Sequence, residues 1–191
     1  GSNSNASMIS PKKYFFSWTQ YRELLRELLT PNEICENPED IHAEDLYRKG
    51  FRTIMLDIDN TIMKYTERDI SLQKVAWVDS LKATGFRIFI LSNNSSKHRI
   101  QRVANQLQLE GAYFSQKPLP FGFRELALKH HIFPSRTIVI GDQLLTDVII
   151  GNWIGAHSIL VDPLDKRVSF IKTMQRELEL FVLRKLDAYP F

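Results

Sequence analysis

Residues 53–61 read Thr53-Ile54-Met55-Leu56-Asp57-Ile58-Asp59-Asn60-Thr61. A short apolar run is followed at once by two aspartates on alternate positions. Such a run is typical of a strand that is buried on both faces of a parallel sheet. In an open α/β sheet, ligands bind beyond the carboxyl ends of the strands. The two aspartates are therefore the first candidates for chemistry.

Four further apolar runs follow along the chain, and helical patterns separate them. The runs cover residues 87–91, 112–114, 137–140 and 158–161, and the helical patterns cover about 71–84, 96–108, 120–130 and 144–154. Gly85, Gly111 and Gly155 stand where helix C-caps are expected. This alternation predicts a doubly wound α/β fold with a parallel sheet.

The chain before this alternation predicts a short helical extension. An aromatic cluster comes first, with Tyr14, Phe15, Phe16, Trp18 and Tyr21. We expect helices at about 21–29 and 43–49, and an acidic, loop-like stretch over 31–45. Residues 1–7 have the composition of an expression-tag remnant, so the extension is expected to cover 8–50 and the core 51–165.

The chain after the alternation predicts an amphipathic helix over about 167–187, within a C-terminal segment 166–191. Its apolar stripe includes Ile171, Met174, Leu178 and Phe181. Packing on the core, a subunit interface in a homodimer and peripheral contact with a membrane are all open for this stripe.

Composition and charge place broad limits on function. The 191 residues are 43% hydrophobic and 25% charged, which is ordinary for a globular domain. A net charge of +3 gives no argument for a specific nucleic-acid partner. The single cysteine, Cys35, fits a reducing setting, so we expect a cytoplasmic protein. We expect neither a membrane span nor a signal peptide, because the sequence shows neither pattern.

The ends of three other predicted strands also carry polar residues. They are Ser92-Asn93-Asn94, Gln116-Lys117-Pro118 and Gly141-Asp142-Gln143-Leu144-Leu145-Thr146-Asp147. Because the carboxyl ends of parallel strands meet at one edge, we expect three or four carboxylates, a hydroxyl with amides, and a lysine on the same rim.

This set of groups suits phosphoryl transfer. Converging carboxylates repel one another unless a hard cation such as Mg²⁺ lies among them. One carboxylate can act as a nucleophile, and a second one, two residues along, can act as general acid and then base. Hydroxyl, amide and lysine groups can neutralise the transferred phosphoryl group.

These motifs resemble those of the haloacid dehalogenase (HAD) superfamily over about residues 50–165. The first motif matches Asp57-Ile58-Asp59-Asn60-Thr61, the second Ser92, the third Lys117, and the fourth Asp142 with Asp147. The stretches 56–61, 91–94 and 141–148 are also similar to the YqeG-type branch of subclass III phosphatases. That branch is related to the phosphatidylglycerophosphate phosphatases of mitochondria and plastids.

The resemblance implies a role for each acidic residue. Asp57 would be the nucleophile and a magnesium ligand. Asp59 would be the acid/base, with its backbone carbonyl on the metal. Asp142 would ligate Mg²⁺, and Asp147 would support Asp142 and Lys117.

The resemblance also implies a phosphate site. Ser92 and Lys117 would hold the phosphoryl oxygens, and Thr61 and Asn93 are grouped with them. Asn60, Asn94 and Gln143 stay open between site and structure. For Lys97, His98 and Arg99 at the start of the next helix, a solvated face is expected, with contact to an anionic substrate as the alternative.

The chain has no room for the cap domains of larger relatives, because residues 62–91 and 95–116 hold only short elements. An open site suits a large or exposed phosphomonoester, of which phosphatidylglycerophosphate is one option. Two alternatives remain: a non-catalytic binding or scaffold protein that uses the same rim, and a C–halogen hydrolase. The second aspartate, Asp59, disfavours both.

Overall fold

The computed structural model describes residues 17–109, 113–114, 117, 119–165 and 184. The predicted tag remnant 1–7 and the aromatic residues 14–16 lie outside these residues. So does the predicted C-terminal helix over 167–187, apart from Arg184.

The described strands form one sheet in which every neighbouring pair runs parallel. The strands are β1 (Glu33–Cys35), β2 (Thr53–Leu56), β3 (Arg87–Ser92), β4 (Tyr113–Phe114), β5 (Thr137–Gly141) and β6 (His157–Val161). Their order in the sheet is β1-β6-β5-β2-β3-β4. The predicted parallel α/β architecture is confirmed.

Helices lie between the strands close to where the sequence predicts them. They are α1 (Trp18–Leu29), α2 (Ala43–Arg48), α3 (Leu72–Thr84), α4 (Lys97–Leu107), α5 (Phe121–His130) and α6 (Ile149–Trp153), with a π-helical turn at Leu144–Val148 before α6. The cap of α3 at Gly85 has a φ of +118°, a left-handed conformation that glycine adopts without strain.

The sequence prediction was wrong for part of the acidic stretch over 31–45. Residues 33–35 form β1, an edge strand that pairs with β6 in the register Ile34↔Leu160. The side chain of Asn32 secures this pairing, since its Oδ1 accepts a hydrogen bond from the Ser158 backbone N at 2.8 Å. Local patterns missed the strand because it is short and its partner lies more than 120 residues along the chain.

The core lies on both faces of the sheet, as double winding requires. Alternate residues of β2 point to opposite sides: Ile54 and Leu56 join a cluster with residues of α3 and α4, and Met55 joins one with residues of α5 and α6. All four residues of β2 are buried. The apolar side chains of Ile54, Met55 and Leu56 each contribute roughly 1.5–3 kcal/mol by leaving water.

The connections next to the rim are short. Between β2 and β3, where all residues are described, the chain forms only a turn, a short segment and α3. Between β3 and residue 109 it forms only α4. Neither described connection contains a cap domain, so the carboxyl ends of the strands face an open rim.

Candidate active site

The structure brings the predicted site residues to the carboxyl edge of the sheet. Asp57 directly follows β2, Ser92 ends β3, and Asp142 directly follows β5. A cavity of about 310 Å³ opens there, and its walls are formed by Asp57, Asp59, Tyr65, Ser92, Asn93, Asn94, Ser95, Lys117, Gln143 and Thr146. A larger groove of about 770 Å³ lies between α2 and α3 and contains none of these residues.

Lys117 lies between two buried carboxylates. Its Nζ is 2.8 Å from Asp57 Oδ1 and 2.5 Å from Asp147 Oδ1, and only 3% of its side chain is exposed. Burial disfavours the charged form, but Asp147 and Asp57 outweigh this effect and raise the pKa of Lys117 above its ordinary value. These two carboxylates therefore favour the charged form of the lysine in the cavity wall.

Asp147 is the second carboxylate that contacts Lys117. Its second oxygen, Oδ2, accepts a hydrogen bond from the Gln143 backbone N at 3.1 Å. Burial, followed by repulsion from Asp57, raises the pKa of Asp147 to about 6, against the opposing effect of Lys117. A second carboxylate beside Asp57 is thus kept in place by one lysine and one backbone amide.

Three carboxylates at this point fit a divalent cation. Oxygen atoms of Asp57, Asp142 and Asp147 lie within 4.8 Å of one another, and all three residues are buried. Thr61 Oγ1 donates to Asp57 Oδ2 at 2.9 Å and lies 3.3 Å from Asp142 Oδ1. Three negative charges against the single charge of Lys117 leave an excess of negative charge, which an oxygen-seeking dication would offset.

This cluster differs from the predicted set of metal ligands. The metal ligands predicted from the sequence are the carboxylates of Asp57 and Asp142 and the backbone carbonyl of Asp59. The carboxylate of Asp147 takes part in the cluster, whereas that of Asp59 does not. The predicted metal contact of the Asp59 carbonyl stays a prediction.

Asp59 is held by two side chains that come from the next strand end and helix. Arg99 donates to its Oδ1 from Nε at 3.0 Å and from Nη2 at 2.8 Å. Asn94 Nδ2 donates to its Oδ2 at 2.8 Å. The two aspartates after β2 therefore have separate partners, because Asp57 contacts Lys117 and Thr61 instead.

The prediction that residues 97–99 form a solvent-exposed face is wrong for Arg99. Lys97 and His98 are exposed, but only 18% of the Arg99 side chain is. Sequence reasoning missed this contact because a charged run at a helix start is usually solvated. The available signal was position: α4 begins soon after Ser92, so its first turn lies at the rim.

Asn93 and Asn94 both have structural partners. The sequence grouped Asn93 with phosphate binding, but its Nδ2 donates to the Lys117 carbonyl at 2.8 Å and its Oδ1 accepts from the Lys117 backbone N at 2.6 Å. The amide therefore positions Lys117. Neither asparagine caps α4, since the Ser96 hydroxyl accepts the hydrogen bond from the Arg99 backbone N.

A tight turn after β2 returns Thr61 to Asp57. Asn60 has a φ of +62°, a left-handed conformation that asparagine tolerates better than most residues. Its backbone N donates to the Met63 carbonyl at 2.7 Å. The sequence left Asn60 open between site and structure, and its backbone makes this turn.

Known proteins with similar sequences are hydrolases and phosphatases. Residues 115–163 match the family described as HAD-hydrolase-like. The chain is 30% identical over 163 residues to the probable phosphatase YqeG of Bacillus subtilis, covering 85% of this chain and 94% of that protein. It is 27% identical over 169 residues to phosphatidylglycerophosphate phosphatase 1 of Arabidopsis thaliana, with 84% of this chain covered but only 49% of that protein.

A solved structure shows the same fold. A predicted HAD-like family hydrolase from Porphyromonas gingivalis superposes with a TM-score of 0.50 at 15% identity. The match covers 66% of this chain and 98% of that one. At this identity the likeness concerns the fold alone.

Gly141 is a position where the backbone lies close to the acidic cluster. A Cβ atom there would lie 2.2 Å from Asp147 Cγ. Asp147 is held by Lys117 and cannot move away without breaking that pair. We expect Gly141→Ala to lower the free energy of unfolding by about 1–3 kcal/mol, as overpacking of a filled interior does. Urea denaturation measures this change.

Gly151→Ala is the matched control. Its Cβ would lie 3.1 Å from Ser158 Cβ, a tight contact outside the acidic cluster. We expect a change below about 1 kcal/mol, because alanine also favours a helix. Wild-type stability in Gly141→Ala would contradict the close packing of Asp147 on residue 141.

Proposed function

Because this chain belongs to the HAD superfamily of hydrolases, in the YqeG-type branch, and is a phosphatase, we propose that it hydrolyses phosphomonoesters with Mg²⁺ through an aspartyl-phosphate on Asp57. One observation carries this proposal. The Asp57 carboxylate lies in the cavity between Lys117 and Thr61, with Asp142 beside it. Membership of this branch favours a phosphatase over the scaffold and C–halogen hydrolase alternatives.

Asp57 is oriented as a nucleophile by hydrogen bonds to both of its oxygens. Lys117 Nζ contacts Oδ1 and Thr61 Oγ1 contacts Oδ2. In the first step one of these oxygens attacks phosphorus, and the bond from phosphorus to the leaving oxygen breaks. The leaving oxygen takes a proton from Asp59, which follows Asp57 by two residues and also lines the cavity.

The second step releases phosphate. Asp59, now a carboxylate, takes a proton from water while the water oxygen attacks phosphorus. The bond between phosphorus and the Asp57 oxygen breaks, which restores the Asp57 carboxylate and the protonated Asp59. One group thus serves as acid and then as base.

We assign Ser92 and Lys117 to binding of the phosphoryl oxygens, because both residues line the cavity next to Asp57. Thr61 orients the nucleophile through its hydrogen bond to Asp57. The charge of Lys117 is retained by its buried carboxylates, so it is available where negative charge develops. Asn93 contributes indirectly, by holding the main chain of Lys117.

The carboxylates of Asp57 and Asp142 and the carbonyl of Asp59 would hold Mg²⁺. The ion would supply positive charge that offsets repulsion between these carboxylates and the substrate phosphate. Asp147 also belongs to the three-carboxylate cluster, but its contacts with Lys117 and Gln143 favour a supporting role.

We expect Asp57→Asn to abolish turnover, with a loss of at least about 10³-fold in kcat on p-nitrophenyl phosphate, because the nucleophile is removed. In the wild-type protein, borohydride added during turnover should reduce the acyl phosphate and convert Asp57 to homoserine. Peptide mass spectrometry locates the modified residue.

Asp79→Asn is the control for this substitution. Asp79 is an exposed aspartate on α3, away from the cavity. We expect wild-type turnover from it. Sustained hydrolysis by a folded Asp57→Asn protein, or homoserine at another position, would overturn the mechanism.

For the metal, we expect a chelator to remove activity and Mg²⁺ to restore it. Asp142→Asn should raise the Mg²⁺ concentration for half-maximal turnover by about 10–100-fold, because a charged ligand becomes a weaker neutral one. Titration of initial rates with Mg²⁺ measures this shift. An unchanged requirement in Asp142→Asn would exclude this residue as a ligand.

A lipid phosphate such as phosphatidylglycerophosphate is the substrate class that we propose. The Arabidopsis relative is named for this lipid, and the open rim admits a large substrate. The exposed residues Trp18, Tyr21, Leu24 and Leu25 on α1 support contact with a membrane surface. α1 packs through Leu29 on Leu144 and Val148, in the segment whose Thr146 lines the cavity.

Such contact would be peripheral. Among the residues with described structure, no helix combines the length and apolarity needed to cross a membrane. The segment 167–187, which is one candidate for a homodimer interface, lies outside the described part of the chain apart from residue 184. The homodimer and the cytoplasmic location therefore stay predictions.

We expect hydrolysis of phosphatidylglycerophosphate in phosphatidylglycerol vesicles to exceed hydrolysis of soluble sugar phosphates. Trp18→Ser should weaken vesicle binding by about 10-fold, because a large apolar side chain no longer leaves water. Vesicle co-sedimentation and initial rates measure the two effects.

Phe133→Ser is the matched control, since Phe133 has the same exposed fraction as Trp18, 65%. Phe133 precedes β5 and so lies at the amino ends of the strands, opposite the rim. A preference for soluble phosphates would remove the lipid proposal. Equal weakening by both substitutions would remove the assigned role of α1.

A further inference from the structure

Arg99 joins Asp59 to the segment that crosses the rim beside the cavity. This segment, residues 64–70, is called the flap here. The guanidinium group donates to Asp59 Oδ1 from Nε and Nη2, at 3.0 and 2.8 Å. It also donates to the Glu67 carbonyl from Nη1 at 2.6 Å and to the Lys64 carbonyl from Nη2 at 3.0 Å. One side chain therefore links the proposed acid/base, α4 and the flap.

The contacts of Asp59 differ between its two oxygens. Arg99 places two N–H donors on Oδ1, so this oxygen is held as an acceptor. Oδ2 accepts one hydrogen bond, from Asn94 Nδ2, and the Asn94 amide is held in this orientation by the Ser96 backbone N, which donates to Asn94 Oδ1 at 2.9 Å. A carboxylate oxygen has two lone pairs, so Oδ1 uses both on Arg99 whereas Oδ2 keeps one for a proton. Oδ2 is consequently the oxygen that can carry a proton.

We propose that Arg99 is a positioning residue that holds Asp59 Oδ1 and reserves Oδ2 for proton exchange with the leaving oxygen. The proposal rests on the acid/base role of Asp59. Arg99 touches neither the phosphoryl group nor the nucleophile, and it acts through Asp59 alone.

An arginine is required by the geometry of these contacts. Three nitrogens of one planar group reach a carboxylate oxygen and two carbonyls at once. A lysine has one nitrogen on a flexible stem and cannot reproduce this fork. Arg99→Lys therefore keeps the charge and removes the positioning.

The leaving group provides the test. The p-nitrophenolate ion departs with little need of a proton, whereas an alkoxide such as that of glycerol phosphate requires one. We expect Arg99→Ala and Arg99→Lys to lower kcat/KM, which reports the steps up to departure of the leaving group, by about 10–100-fold on glycerol phosphate and by less than about 3-fold on p-nitrophenyl phosphate, since general acid catalysis contributes roughly 10²–10⁴-fold. Hydrolysis of the aspartyl-phosphate is common to both substrates and also uses Asp59, so kcat alone would not show this selectivity.

Arg102→Ala is the matched control. Arg102 lies one turn further along α4 and also bonds to the flap, through Asp69. Both side chains of that pair are well exposed, at 40% and 59%, and neither lines the cavity. We expect kcat and kcat/KM on both substrates to stay within about 2-fold of wild type, because exposed ion pairs contribute little.

A double-mutant cycle with Asp59→Asn shows whether Arg99 acts through Asp59. Asp59→Asn should cause the same selective loss of kcat/KM on glycerol phosphate, and adding Arg99→Ala should cause no further selective loss of kcat/KM. Equal losses of kcat/KM on both substrates in the Arg99 variants, or independent losses of kcat/KM in the cycle, would overturn the inference.

The outcomes separate this inference from the proposed function. An active, folded Asp57→Asn protein refutes the aspartyl-phosphate mechanism. An inactive Asp57→Asn protein together with Arg99 variants that show no leaving-group selectivity refutes only the role of Arg99. Arg99→Lys keeps the charge at this position, so it decides the question if Arg99→Ala does not fold.

Discussion

The acidic rim depends on one buried ammonium group, that of Lys117. Like charges cannot lie together in a site shielded from water unless an opposite charge or a bound cation compensates them. Lys117 compensates Asp57 and Asp147 at 2.8 and 2.5 Å, and the carboxylates in turn keep the lysine charged. Asp142 adds a third carboxylate, and with it the negative charge that favours a divalent cation.

The fold serves this cluster by burying the sheet and leaving the strand ends accessible. Parallel strands that are covered on both faces meet solvent chiefly at their ends, so the residues after β2, β3 and β5 converge there. Neighbouring residues then hold Lys117 and Asp147 in position. Asn93 holds both main-chain groups of Lys117, and the absence of a side chain at Gly141 leaves space for Asp147.

The two aspartates after β2 differ through their neighbours rather than through their own chemistry. Asp57 shares its partners with the buried cluster, whereas Asp59 faces Arg99 and Asn94 from the adjoining strand end and helix. This separation keeps a nucleophile and a proton carrier distinct within three residues. It also makes the position of the acid/base depend on α4 and the flap, which Arg99 links to Asp59.

The sequence by itself determined the α/β architecture and the acidic rim, because apolar runs and the polar residues that end them are local signals. Asp57, Ser92 and Asp142 could be predicted for this reason. Tertiary structure alone decided which groups meet. Glu33–Cys35 becomes a strand only beside β6, Asn93 bonds to Lys117 across 24 residues, and Arg99 reaches Asp59 across 40. Such pairings depend on how distant segments pack, and no local pattern of charge or hydrophobicity records them.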